Sequence, residues 1–181
     1  MKKIFTMFIS MILLITNQSC NMTKTDDERI EEKTQEIIKN LETSNKEGIK
    51  NLFAKTKIKN ISNFDYSIDN LLDYYNGTFQ SKKNYSHGKF RDKNGEFSTT
   101  WFLPSTDVTT SVETYRIAFY YCTEYTTDKD SVGIWSMYII KKKDDITPEY
   151  AYGGDGLWTP GINIGKVYIE NENNDKILIA R

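Results

Sequence analysis

The side chains able to serve as nucleophile, base or soft metal ligand are few: one histidine, His87, and two cysteines, Cys20 and Cys122. A catalytic thiol needs a base beside it, so Cys122 could act only with His87. Cys122 lies in a strongly β-patterned stretch, where a cysteine ordinarily serves as a small buried hydrophobe. The chain contains no H-E-x-x-H, C-x-x-C or G-x-S-x-G motif and no phosphate loop ending in Gly-Lys-Ser/Thr. So small a stock of histidine and thiol argues against a zinc site. Asp128-Lys129-Asp130 begins like a calcium loop, but its twelfth position is Ile139, where such a loop needs a bidentate glutamate. The residues therefore name no catalytic group, no metal site and no cofactor.

Binding is better represented. The clearest strand, 112–125, alternates Tyr115, Ile117, Phe119, Tyr121 and Tyr125 with Arg116, Ala118, Tyr120, Cys122 and Glu124. If the second set faces covering helices, Arg116, Tyr120 and Glu124 line a pocket with Trp135 of the next strand. Arg116 and Glu124 would then be its polar handles. If that set faces water, it is a solvated sheet face. The 12 Tyr, 9 Phe and 3 Trp mostly fill a core. The run Tyr150-Ala151-Tyr152-Gly153-Gly154-Asp155-Gly156 lacks the strand–helix setting of a dinucleotide site and reads as a loop that could flank a pocket. A net charge of −1, with Lys141-Lys142-Lys143 answered at once by Asp144-Asp145, excludes the concentrated basic face of a nucleic-acid binder.

The elements that must position these residues follow from periodicity. Thr25-Asp26-Asp27-Glu28 is a capping box before a helix with Ile30, Thr34, Ile37, Ile38 and Leu41 inward. Ser44-Asn45-Lys46-Glu47 predicts a second, short helix burying Ile49, Leu52 and Phe53. Ser62-Asn63-Phe64-Asp65 predicts a third, with Phe64, Ile68, Leu71, Leu72 and Tyr75 inward and Asn76-Gly77 at its end. After Gly77 the period falls to two. A ragged strand over 79–90, a turn at Asp92-Lys93-Asn94-Gly95 and a strand over 97–103 stopped by Pro104 come first. Strand 112–125 turns at Asp128-Lys129-Asp130-Ser131 into 132–142, where Trp135, Met137 and Ile139 oppose Ile134, Tyr138 and Ile140. A last hairpin, 166–169 with 176–179, turns on Asn173-Asn174-Asp175. Helices first and strands afterwards predict an α+β fold, with the N-terminal helices packed on the concave face of a curved antiparallel sheet.

The N-terminus carries an address. Lys2 and Lys3 precede an apolar run from Ile4 to Ile15, and Ser19-Cys20 follows. This is the order of a secretory signal peptide, too short for a membrane-spanning helix. Ser19-Cys20 resembles the bacterial lipobox, in which the leader is cut before the cysteine and the new N-terminus is acylated. Asn17 and Gln18 depart from that pattern. The expected division is a signal peptide over 1–19, a lipid-anchored linker over 20–25 and one α+β domain over 26–181. Loss of Lys2 and Lys3 takes the net charge from −1 to −3. Acylation of Cys20 leaves Cys122 without a disulfide partner. Two or three acyl chains hold a protein at a bilayer through about 0.8 kcal/mol per buried methylene. The linker reaches roughly 15–20 Å from the headgroups. In such a protein the N-x-[ST] triplets at Asn60, Asn76 and Asn84 are not glycosylation sites.

Asn45-Lys46-Glu47-Gly48-Ile49-Lys50-Asn51-Leu52-Phe53, the helix 64–77, Asp130-Ser131-Val132-Gly133-Ile134-Trp135 and Pro160-Gly161-Ile162 resemble a bacterial lipoprotein family, domain-of-unknown-function family 5104. The resemblance covers roughly residues 26–165 and implies a cystatin-like, nuclear-transport-factor-2-like cone. It brings no catalytic residues. The expected protein is a non-catalytic envelope module, held on the extracytoplasmic side of a membrane by its lipid, that binds a small ligand or an envelope protein. The alternative is a small pocket enzyme of the isomerase or dehydratase type, since cone-shaped folds host such chemistry.

Overall fold

In a computed structural model of the chain, the described residues are 24–61, 63–145 and 161–165, with the backbone of 167–170 and 176–180. The expectations for the leader, Cys20, Ser62, the Tyr150–Gly156 loop and the Asn173-Asn174-Asp175 turn lie outside the described residues. No helix among the described residues is long and apolar enough to cross a membrane.

Helix α1 (Asp26–Glu42) starts on its capping box: the Glu28 amide donates to Thr25 Oγ1 at 3.2 Å, and the Thr25 amide donates to the Glu28 carboxylate at 2.8 Å. Two otherwise unpaired N–H groups are thereby satisfied. Its buried residues are the five that periodicity picks out, Ile30, Thr34, Ile37, Ile38 and Leu41. Helix α2 (Lys46–Lys50) is capped by Asn45 rather than Ser44. Ser44 instead takes a left-handed φ of 47° that turns the chain out of α1. Leu52 and Phe53 are buried as expected but lie beyond the helix. The Ile134 amide donates to Leu52 O and the Ala54 amide to Ile134 O, both at 2.9 Å, so Phe53 pairs in parallel with Ile134. A short helix α3 (Lys55–Ile58) follows that no sequence signal announces, since Ala54 offers no capping side chain. Helix α4 (Phe64–Tyr74) buries Phe64, Ile68 and Leu71.

The strands are β1 (Phe79–Asn84), β2 (Gly88–Asn94), β3 (Phe97–Leu103), β4 (Ser105–Thr110), β5 (Thr114–Tyr125), β6 (Gly133–Lys141) and β7 (Ile162–Ile164). They form one seven-stranded antiparallel sheet, with a separate hairpin of β8 (Val167–Glu170) and β9 (Lys176–Ala180). The fold is α+β. On one edge of β5, β4 pairs with its first half and β3 with its second, so the two act as one long strand bent at Pro104. β1 and β2 line up outside β4 and β3 and are broken at the same level, 85–87. On the helix side, Ile37, Leu41, Ile49, Ile68 and Leu71 pack against Tyr115, Ile117, Phe119, Met137 and Ile139 in one cluster.

One alternation fails. Tyr120 pairs with Ser136 and Tyr121 with Ile134, which leaves Trp135 as an extra residue in a β-bulge. Ile134 therefore joins Met137 and Ile139 in the helix-side cluster, and Trp135 packs with Tyr120 instead. The expected grouping of Trp135 with Met137 and Ile139 is corrected by that bulge.

Candidate functional site

Where β1 breaks from β2 and Pro104 bends the opposite strand, the first turns of α1 do not fill the gap. A cavity of about 310 Å³ results. Ile30 and Pro104 give it an apolar wall. Several of its polar groups satisfy one another: Glu31 accepts from Lys82, from Gln35 at 3.0 Å and from Asn84 at 3.0 Å, while Thr106 donates to Asn84 Oδ1 at 3.0 Å. The Lys82 ammonium, helped by Gln35 and Asn84, holds Glu31 below the usual carboxylate range. At the mouth, His87 Nε2 faces Asp27 Oδ1 at 3.6 Å, beyond a normal hydrogen bond. The imidazole stands edge-on against Phe102, 5.5 Å between centroids. A cavity whose carboxylate and amide are held in a hydrogen-bonded set, with an imidazole and a second carboxylate beside them, can hold a small polar molecule. Sequence reading reaches His87 only as a partner for Cys122 and does not reach Asp27, Glu31 or Asn84. The capping box fixes Asp27 on α1, but its meeting with His87 depends on the non-local bend.

None of Arg116, Tyr120, Glu124 and Trp135 lines this cavity. Tyr115, Ile117 and Phe119 face the helices, so strand alternation turns Arg116 and Tyr120 the other way. The structure brings Tyr120 and Trp135 together, with Trp101 and Leu103. It does not bring Arg116 to them. Arg116 Nε donates to Asp107 Oδ1 at 3.0 Å and Nη1 to Asp145 Oδ2 at 2.7 Å, and Tyr85 donates to Asp107 at 2.6 Å. Burial works against the Arg116 charge, but Asp107 and Asp145 outweigh it and raise its pKa. Glu124 accepts from Thr100 Oγ1 at 3.1 Å. Among the described residues no His, Cys, Asp and Glu side chains are grouped to hold a metal ion.

Cys122 is fully buried and donates to Glu124 O at 3.3 Å, whereas the neighbours of His87 are Asp27 and Phe102. The two are not paired. Burial pushes the thiol from 9.0 to about 11, against the Lys57 ammonium. Burial likewise raises Tyr120 to about 12. The folded chain therefore keeps protons that the unfolded chain releases, so this stabilisation is complete below about pH 9 and is lost as pH rises through about 11. The Cys122 share is on the order of 2–3 kcal/mol. Urea unfolding at pH 8 and pH 11 is expected to show that loss, and Cys122→Ala to shrink it by the same amount. An unchanged pH dependence in Cys122→Ala would contradict the assignment.

The fold and the cavity define a small α+β domain whose helices cover one sheet face and leave an opening beside α1. The chain matches the family described as Domain of unknown function (DUF5104) over residues 36–142, more than half its length, and belongs to that family. The matched stretch contains His87 and the bent strand pair but begins after Asp27 and Glu31. No curated protein matches the chain.

Proposed function

We propose that the chain is a cell-envelope lipoprotein of the cystatin-like, nuclear-transport-factor-2-like group, whose domain binds a small polar ligand or an envelope protein without transforming it. Helices α1, α2 and α4 packed on one face of a bent antiparallel sheet support the fold relationship. The observation that carries the binding role is the cavity, in which Glu31, Asn84 and Thr106 are hydrogen-bonded while His87 and Asp27 face each other beyond normal hydrogen-bond distance. Acylated Cys20 would be separated from Asp26 by a five-residue linker of about 3.3–3.6 Å per residue, which keeps the mouth close to the headgroups. The exported domain would then meet ligands at the membrane surface.

His87 is the only histidine, so its ring resonances report on the cavity alone. Small polar molecules screened against the chain are expected to shift them, and Ser105→Trp, which crowds the mouth, to abolish the shift. A panel of amino acids, sugars and their phosphates that leaves His87 unmoved would sink the reading. For the anchor, metabolic labelling with a radioactive fatty acid is expected to mark the wild-type chain and not Cys20→Ala. Equal labelling of both chains would place the acyl group elsewhere.

A second reading, a pocket enzyme, draws on the His87–Asp27 pair, since an imidazole beside a carboxylate can shuttle protons. Turnover of a bound compound, lost in His87→Ala with binding retained, would favour it over the binding module.

A further inference from the structure

The charges around the cavity are unequal. Among the described residues it is lined by two carboxylates, Asp27 and Glu31, by the His87 imidazole, and by no lysine or arginine. Asp27 and Glu31 are one turn apart on α1 and share a side of the helix. Two neighbouring ammonium groups are already committed, Lys82 to Glu31 and Lys89 to Asp26. Lys83 falls opposite Asp107 in the register of β1 with β4, and Lys82 opposite the buried Val108, so alternation turns Lys83 to the other side of the sheet. With Glu31 and Asp26 offset in this way, the Asp27 carboxylate is the charge left over at the cavity.

The spare hydrogen-bonding capacity has the same bias. A carboxylate offers about four lone-pair sites, and Glu31 uses three of them on Lys82, Gln35 and Asn84. Asn84 has given one amide hydrogen to Glu31, and its oxygen accepts from Thr106. What remains is chiefly acceptor: Asp27, the last site of Glu31, and a nitrogen of His87 when the ring is neutral. Against these stand one amide hydrogen of Asn84 and the Ser105 hydroxyl. The positive end of α1 does not reverse the balance, because Asp26, Asp27 and Glu28 in its first turn answer it.

A protonated primary amine meets this demand with three N–H donors and one positive charge on a single atom. His87 Nε2 and Asp27 Oδ1, 3.6 Å apart, are too far apart to bond to each other. One ammonium nitrogen could reach both at about 2.9 Å. Ile30 and Pro104 offer an apolar wall to the carbon chain behind it. A carboxylate or phosphate in the same place would meet Asp27 and Glu31 as like charges. We propose, on the binding role given above to this cavity, that its ligand is a cation: a small molecule whose protonated primary amine sits between Asp27 and His87, with its alkyl part against Ile30 and Pro104.

Full-length chain in non-ionic detergent micelles is titrated at about pH 8 with butylamine, butanol and pentanoate, which carry one butyl chain under three different heads. An alkylamine is protonated there and a carboxylic acid is ionised. The ring resonances of His87, the only histidine, report binding. Butylamine is expected to bind at least about tenfold tighter than either of the others. Asp27→Asn keeps the shape, removes the charge and is expected to erase that preference. Glu32→Gln removes the same charge from α1 at a residue outside the cavity and is expected to preserve it. Far-UV circular dichroism checks that both variants fold. If butylamine leaves His87 unmoved while another compound shifts it, or if butanol or pentanoate binds as tightly, the cavity binds but does not select a cation. A preference that survives Asp27→Asn overturns the assignment equally. If neither these compounds nor the wider panel moves His87, the binding role itself falls.

Discussion

Arg116→Met is expected to destabilise the chain by about 3–5 kcal/mol, as removal of one member of a buried charge cluster does. The side chains of Arg116, Asp107 and Asp145 are 19%, 12% and 4% exposed, so water reaches little of the cluster. The guanidinium spans both carboxylates, with Nε 3.0 Å from Asp107 and Nη1 2.7 Å from Asp145. Its Cζ also lies 5.0 Å from the Tyr85 ring centre. Methionine replaces the stem but leaves two carboxylates facing each other. Lys142, 3.0 Å from Asp145 and 3.9 Å from Asp107, relieves part of this, which puts the effect toward the lower end of the range. Urea unfolding at neutral pH measures the loss, and adding Asp145→Asn to Arg116→Met should recover part of it. A loss under 1 kcal/mol would mean that the cluster is solvated. Because both sides of the guanidinium are occupied, Arg116 acts as a bridge between strands rather than as the ligand handle its place on β5 first suggests.

What could be read from the sequence divides along the line between local and non-local causes. The start of α1 is written in four consecutive residues, Thr25 to Glu28, and its buried face in a period of 3.6; both appear in the structure unchanged. Strand β3 runs over 97–103 as alternation and Pro104 predict. Strand β4 escapes notice because Ser-Thr-Asp-Val-Thr-Thr contains a single large apolar residue. It becomes a strand through pairing with β5, where Asp107 falls opposite Arg116. The break at 85–87 has its cause in the bend at Pro104 across the sheet, so local pattern shows only a ragged strand. The cavity that follows from that break is invisible for the same reason. Trp135 is the sharpest case. A period of two places it with Met137, and one extra residue in β6 opposite Tyr120–Tyr121 moves it to the other face. Lys57 and Trp101, which complete the cluster of Tyr120 and Trp135, come from elements whose meeting no spacing records.

Gly133→Ala is expected to cost about 3 kcal/mol or more, because a methyl group there combines a disfavoured backbone angle with a collision that nothing flexible can absorb. Gly133 has φ +135°, and a Cβ would lie 2.7 Å from Ala54 N, 3.0 Å from Ala54 Cα and 3.1 Å from Leu52 O. All three are backbone atoms of the segment that pairs with Ile134 through hydrogen bonds of 2.9 Å. The segment cannot retreat without losing those bonds and uncovering Ala54, which has no exposure at all. α3 begins at the next residue and holds Lys57 over Trp135, so the damage should spread to the aromatic cluster. Gly95→Ala provides the comparison. Its φ of +60° is also left-handed, but nothing lies within 4 Å of a Cβ there, so only the conformational term of about 1–2 kcal/mol remains. Urea unfolding followed by far-UV circular dichroism should separate the two variants by more than 1 kcal/mol, and the near-UV tryptophan bands should change in Gly133→Ala alone. Equal losses would mean that the 52–54 segment yields freely, and that its parallel bridge to β6 contributes little to holding the helical layer on the sheet.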